Sequence, residues 1–417
     1  MTEISKRSLR VKRSNIPLIL MMFVIVVFGL VILYSVSGPA GYAREAEEKS
    51  SLFYLSKQLG YTVAGLVLAL VISFIPIKLF KHPFVWGVSY GLSLLLIVIT
   101  KVGGYELNGA KRWIKIGGTT FQTSEFVKVA IVIALAGYRA FIVDQRKKGK
   151  LKAETKTKQI LKDAFFDFIL PVSMALLIDA FILIQPHFSC FLIVGFVVFM
   201  CTLNSGVSLR SWLVGGLVVL VVGIIGVATY ITVNPDYQGN FAHVVQRFNI
   251  FATTKGDETT DVTDDEMRQV TNAHNALGSG GMWGRGLGNS RAKYNYVSEA
   301  QNDYIFSIYV EETGFVGGAI LILVYLTIFA MFVMVILKTD SIFSRMIATG
   351  CSSLIMIQVL LNIAVELQVA PSTGVTLPFV SYGGTAQLFL LTAYGMILGV
   401  SRNGTVITQK KEEKDEA

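Results

Sequence analysis

Between Glu299 and Gly318 (EAQNDYIFSIYVEETGFVGG) a polar stretch feeds three acids, Asp303, Glu311 and Glu312, into an apolar run. Burying an ionisable group at membrane depth costs roughly 2.5 kcal/mol or more, so an acid at such a boundary is a candidate functional residue. A carboxylate there can take a proton from a substrate hydroxyl, and partial burial raises its pKa toward the working range. The competing role for Asp303 is a helix N-cap or first-turn acid favoured by the helix dipole. Glu311 lies within a quarter turn of Asp303 at about 100° per residue and reads as a second position lining a polar cavity; Glu312 points the other way, toward a partner helix.

Three further segments have compositions unlike ordinary connectors. Asn108 to Lys128 (NGAKRWIKIGGTTFQTSEFVK) alternates apolar and cationic residues, turns at Gly117 and Gly118, and enters a helix that Ser124 is placed to cap. Lys111, Arg112 and Lys115 read either as interfacial anchors or as a trap for an anion such as a diphosphate. Glu125 and Lys128 share one helix face at i and i+3, as an ion pair or as part of a site. Gly278 to Ser290 (GSGGMWGRGLGNS) has no strand before it, which argues against a nucleotide loop and for a close-packed re-entrant one, with Arg285 able to contact an anion. Pro371 to Thr385 (PSTGVTLPFVSYGGT) cannot be helical through most of its length; such backbone must be in water or buried against protein, and Ser381 and Tyr382 then help line a pocket.

The elements that hold these residues follow from composition. Hydrophobic residues make up 53% and charged residues 16% of 417, mean hydropathy is +0.58, and uncharged runs near twenty residues recur. This describes an all-α polytopic membrane protein and excludes a soluble one. Spans are expected to begin near Ile16, Leu59, Phe84, Ser124, Phe165, Phe188, Trp212, Asp303, Arg345 and Gly384, ten helices in a single domain over 1–417 with a large extracellular loop between helices 7 and 8. The basic flank Lys6 to Arg13 makes the first span an uncleaved anchor with residues 1–15 cytoplasmic. Threading from there puts the Lys-rich loop Arg139 to Lys162 inside, the 234–302 loop with Asp257, Glu258, Asp261, Asp264, Asp265 and Glu266 outside, and the tail 403–417 inside. Net charge +9 then reflects topology and affinity for anionic lipid, with no nucleic-acid signature. Cys190, Cys201 and Cys351 fall in apolar spans, where a thiol packs, and four scattered histidines form no metal motif.

Taken in order, NGAKRWI, SEFVK, GRGLGNS, EAQNDYIF, EETGFVGG and STGVTLPFVSYGGT on ten spans resemble the SEDS family of FtsW/RodA/SpoVE-type proteins along the whole chain. The resemblance implies a ten-helix SEDS bundle in the bacterial plasma membrane and a peptidoglycan glycosyltransferase that polymerises lipid II at the outer face. A class B penicillin-binding protein is the implied partner. The family's essential aspartate falls on Asp303, its cationic and ion-pair positions on Arg112, Glu125 and Lys128, and its polar loop on Ser381, Tyr382, Gly383 and Gly384. The chain departs from the family where QPDxG reads Gln185, Pro186, His187, Phe188 and Ser189, which removes an acid and the metal site that acid would support.

The chemistry so implied is inverting: a sugar hydroxyl attacks an anomeric carbon as a lipid diphosphate leaves. Asp303 is the expected base and Lys111 and Arg112 the expected anion trap, with a divalent cation (Mg²⁺ or Mn²⁺) admissible as a helper rather than required. Two other functions suit an intramembrane acid. A lipid II flippase would carry polar residues through the midplane of several helices, where Asp167, Asp179, Asn362 and Glu366 are the main extras. A non-catalytic scaffold for the penicillin-binding protein would tolerate Asp303→Ala.

Overall fold

A computed structural model describes residues 15–42, 51–107, 110–117, 119–233, 242–254, 264–294, 297 and 300–403. The two termini, much of the acidic run (Asp257, Glu258 and Asp261) and Gly118 lie outside the described residues. Among those described, nine helices are long and apolar enough to cross a membrane, and a shorter apolar helix, Phe188–Leu203, accompanies them.

In chain order the elements are α1 (Ile16–Tyr42), α2 (Phe53–Phe74), a 3₁₀ turn (Ile77–Lys81), α3 (Pro83–Gly103), strands β1 (Tyr105–Leu107), β2 (Ala110–Ile116) and β3 (Thr119–Gln122), and α4 (Thr123–Lys147). Then come α5 (Lys156–Ala164), a π turn (Phe165–Ile169), α6 (Leu170–Ile184), α7 (Phe188–Leu203) and α8 (Leu209–Val233). Last are α9 (Ala242–Thr254), α10 (Asp264–Ser279), α11 (Ile305–Leu337), α12 (Ile342–Glu366) and α13 (Gly384–Asn403). The 234–302 stretch, read as a loop, thus carries two helices. The second and fifth spans start earlier than hydropathy alone suggests, at Phe53 and Lys156, because polar first turns extend them beyond their apolar stretches.

Helices α4, α12 and α13 form the buried centre, while α2, α3 and α8 turn most of their apolar surface outward, as expected of helices bordering lipid. Close approach needs small residues: a Cβ on Gly395 of α13 would lie 2.5 Å from the Ala69 backbone of α2. The three cysteines are buried and free.

A three-stranded antiparallel sheet, order β1-β2-β3, replaces the interfacial segment expected between α3 and α4. Its last hairpin turns at Gly117, whose φ of +53° suits a residue without a Cβ. The strand then runs straight into α4, so Gln122 takes the N-cap position without a side-chain cap bond, and Ser124 lies inside the helix rather than capping it.

Helix α11 is broken. Gly314 has φ 72° and ψ −175°, which interrupts the hydrogen-bond ladder and strands the groups on either side. The glycine loop supplies what the ladder lost: Arg285 N and Gly286 N donate to Glu311 O (3.0 Å) and Glu312 O (2.9 Å), and Phe315 N and Val316 N donate to Gly281 O (2.8 Å) and Met282 O (3.2 Å). Irregular backbone is thereby satisfied by protein, as membrane depth demands.

Candidate functional site

Asp303 sits half-buried in the turn that enters α11. The first turn of α11 is capped by Glu366 at the end of α12, which accepts from Phe306 N (3.3 Å) and Ser307 N (2.5 Å). Asn362, one turn earlier on α12, donates to both Asp303 O and Val375 O at 2.9 Å, and Tyr382 N donates to Gln301 O at 2.9 Å. These bonds dock the Pro371–Gly383 segment against the turn. Gly374, at φ +65°, faces the carboxylate: a Cβ there would lie 3.4 Å from Asp303 Oδ2 and 3.8 Å from Arg247 Nη2.

Arg247 comes from α9, and its Nη1 donates to Ser372 O at 3.3 Å. The sequence reading passed over it, because the 234–302 stretch was weighed by its acids and a lone arginine on a polar helix gives no signal until the fold closes. A shallow groove opens beside it, lined by Ile250, Phe251, Val270, Val365 and Pro371 among others.

Arg112 approaches from the sheet. Its Nε donates to Gln185 O at 3.3 Å and its Nη2 to Pro186 O, so the guanidinium grips the corner between α6 and α7. Ser189, at the start of α7, donates to Thr373 O and ties that corner to the same segment that faces Asp303. Burial first and nearby Arg247 second lower the Arg112 pKa to about 10. Burial also pulls His187 well below the usual imidazole range, and Arg112, Lys128 and Arg247 add to the effect, so this histidine is neutral inside a ring of cations.

Alternation along β2 sends Lys111 to the opposite face from Arg112, where it is exposed and paired in register with Glu106. The structure therefore does not bring Lys111 to the cationic cluster. Glu125 and Lys128 do form a buried ion pair, at 2.8 Å, completed by Gln358 Oε1 at 3.3 Å from Lys128 Nζ. Arg285 does not reach outward alone: its Nε lies 3.6 Å from Glu311 Oε1. Glu311 also accepts from Ser290 Oγ (2.5 Å), Arg291 N and Ala292 N (both 3.2 Å). Glu312 accepts from Lys293 Nζ (2.7 Å) and from Ser35 Oγ of α1. Both acids thus fasten the glycine loop, and Glu311 lines no open path. Ser381 Oγ accepts from Leu377 N at 2.8 Å while its carbonyl accepts from Gln58 Nε2 at 3.3 Å, so Ser381 shapes the loop from within. Tyr382 stacks edge-on with Tyr54 at 4.9 Å.

The arrangement places the Asp303 carboxylate beside Arg247 at the end of the bundle where α4, α7 and α11 begin, with Arg112 and the Glu125–Lys128 pair close to the same corner. Among the described residues no three His, Cys, Asp or Glu side chains converge. Such a site can deprotonate a hydroxyl and hold an anionic leaving group.

Residues 16–405 match the family model FTSW_RODA_SPOVE, described as a cell cycle protein. The probable peptidoglycan glycosyltransferase FtsW of Bacillus subtilis (strain 168) is 30% identical over 411 residues, covering 97% of this chain and 94% of the relative. The protein of that name from Trichlorobacter lovleyi is 29% identical over 401 residues, covering 96% of each. Among solved structures, a chain reported under "Structural coordination of polymerization and crosslinking by a peptidoglycan synthase complex" superposes with TM-score 0.64 at 25% identity, over 94% of this chain and 98% of that one. The rod shape determining protein RodA of Thermus thermophilus superposes with TM-score 0.59 at 25% identity, over 94% and 97%.

Proposed function

Because the chain belongs to the FtsW/RodA/SpoVE family, we propose that it is a peptidoglycan glycosyltransferase that polymerises lipid II at the outer face of the bacterial plasma membrane, with both termini cytoplasmic. Its relatives are named as probable peptidoglycan glycosyltransferases, and one similar solved chain comes from a peptidoglycan synthase complex. A class B penicillin-binding protein is the partner that such a complex calls for.

The observation that carries the reading is the Asp303 carboxylate and the Arg247 guanidinium bordering the same point at Gly374. In the reaction, the 4-hydroxyl oxygen of one disaccharide forms a bond to the anomeric carbon of another. Its proton passes to the Asp303 carboxylate, and the bond from that carbon to the lipid diphosphate breaks with its electron pair leaving on the diphosphate. A positioned base of this kind contributes about 10² to 10⁴ in rate. Fixed cations aimed at the growing negative charge lower the barrier further because they need no reorganisation.

The test is polymerisation of labelled lipid II by the purified protein with its transpeptidase partner. Asp303→Asn is expected to lower the rate by at least about 10² while its melting temperature stays near wild type. Polymer made by this variant at the wild-type rate would overturn Asp303 as the base.

A further inference from the structure

We propose that Arg247 is a positioning residue for the diphosphate of the lipid-linked donor, seating it with Arg112 on the side of Gly374 that faces Asp303; the proposal rests on the polymerase reading above. Three independent features of the structure meet there.

The first is proximity. A Cβ on Gly374 would lie within 4 Å of both the Asp303 carboxylate and the Arg247 guanidinium, so proton acceptor and cation border the same point from two elements, the turn before α11 and helix α9. The second is charge. Arg112 bonds to the carbonyls of Gln185 and Pro186, and Arg247 to that of Ser372, acceptors that orient a guanidinium without cancelling it. Each lies close enough to the other to be felt electrostatically. Two like charges drawn together in this way are relieved by an anion between them. The third is unmet hydrogen bonding. Thr373 Oγ1, between Ser372 and Gly374, and His187 Nδ1, in the corner gripped by Arg112, are buried without a partner. Buried polar atoms are rarely left so, and a hydroxyl and a neutral imidazole are both able to donate. A diphosphate supplies acceptor oxygens for all four groups, and guanidinium forks suit phosphate geometry better than ammonium groups do.

As the bond to the anomeric carbon breaks, charge accumulates on the departing diphosphate, and Arg247 is placed to meet it while Asp303 holds the acceptor's proton. A purely structural role also exists for Arg247, as the strap that ties α9 to the Pro371–Gly383 segment through Ser372 O. The two roles separate experimentally.

The full-length protein with its partner is titrated with lipid II, and geranylgeranyl diphosphate serves as a binding probe in calorimetry. Arg247→Gln is expected to raise KM for lipid II and weaken probe binding each by about tenfold or more, with Arg247→Lys recovering part of the loss. Thr373→Val, which removes an unpartnered hydroxyl, is expected to weaken the probe by about fivefold at unchanged melting temperature. Asp303→Asn is expected to bind the probe as wild type does. Unchanged KM and probe affinity in folded Arg247→Gln would overturn the proposal, as would a fall in melting temperature alone, which assigns the strap. If Arg247→Gln does not accumulate, wild-type probe affinity in Thr373→Val overturns it. Probe binding that depends on Arg247 in a wild-type protein that makes no polymer would sink the polymerase reading and keep the anion subsite.

Discussion

Lys111 and Arg112 are neighbours in sequence with opposite fates, because a strand turns consecutive side chains to opposite faces. Arg112 bridges two carbonyls in the corner between α6 and α7, whereas Lys111 is exposed. Arg112→Ala is therefore expected to raise KM for lipid II by roughly tenfold or more, as loss of a charged hydrogen-bonding group of about 1.5–3 kcal/mol implies. Lys111→Ala should stay within about twofold of wild type, since exposed charges contribute little. Arg112→Lys should not restore activity, because one ammonium cannot span the two carbonyls as the planar fork does. Steady-state kinetics on the three variants, normalised to folded protein, decides the matter. The same contrast shows what was legible residue by residue. Asp303 was readable as a lone acid at the mouth of an apolar run, and Glu125 with Lys128 as an i,i+3 pair, because both signals are local. Lys111 was misgrouped with Arg112 because a seven-residue strand inside an all-helical pattern went unrecognised. Arg247 was invisible because its meaning comes from Gly374, far along the chain.

At the scale of elements, the break in α11 and the glycine loop are one structure. Gly314 lies 2.4 Å, at an added Cβ, from both Gly284 N and Met282 O, and its φ of 72° is a conformation that side chains resist. Gly314→Ala is expected to cost at least about 2 kcal/mol, lowering the melting temperature in detergent and opening the 280–293 loop to protease. Gly223→Ala is the control: it sits in α8 with open space around the added methyl and should be neutral or slightly stabilising. Hydropathy revealed α11 as one apolar run but not its interruption, since the partners that make the break tolerable lie in a loop upstream. Glu311 and Glu312 are explained in the same way. They looked like membrane-buried acids awaiting a function, and they are the posts to which Ser290, Lys293 and the loop backbone are tied.

For the molecule as a whole, the end of the bundle remote from Asp303 is locked by charge. Arg139 and Arg146, in the C-terminal half of α4, hold Asp167 of the π turn from both sides at 2.6 Å, and Arg146 also reaches Asp163 at 2.7 Å. Removing one member leaves buried charge uncompensated, so Asp167→Asn is expected to cost about 3–5 kcal/mol of stability. Polymerisation per folded molecule should be unchanged, a separation that thermal melts and kinetics on the same preparation measure. The broken helix has a further consequence, for biosynthesis. The stub of α11 before Gly314 is too short to cross hydrocarbon, and only the longer portion after it is suited to be a self-sufficient transmembrane segment. As the nascent chain leaves the ribosome, the loop emerges first, then the turn bearing Asp303, then the stub, whose Glu311 and Glu312 carbonyls give the loop half of its backbone bonds; the other half must wait for Phe315 and Val316. The broken helix is thus completed in two steps during translation, and the backbone clasp closes across Gly314 only when the longer portion has begun to emerge.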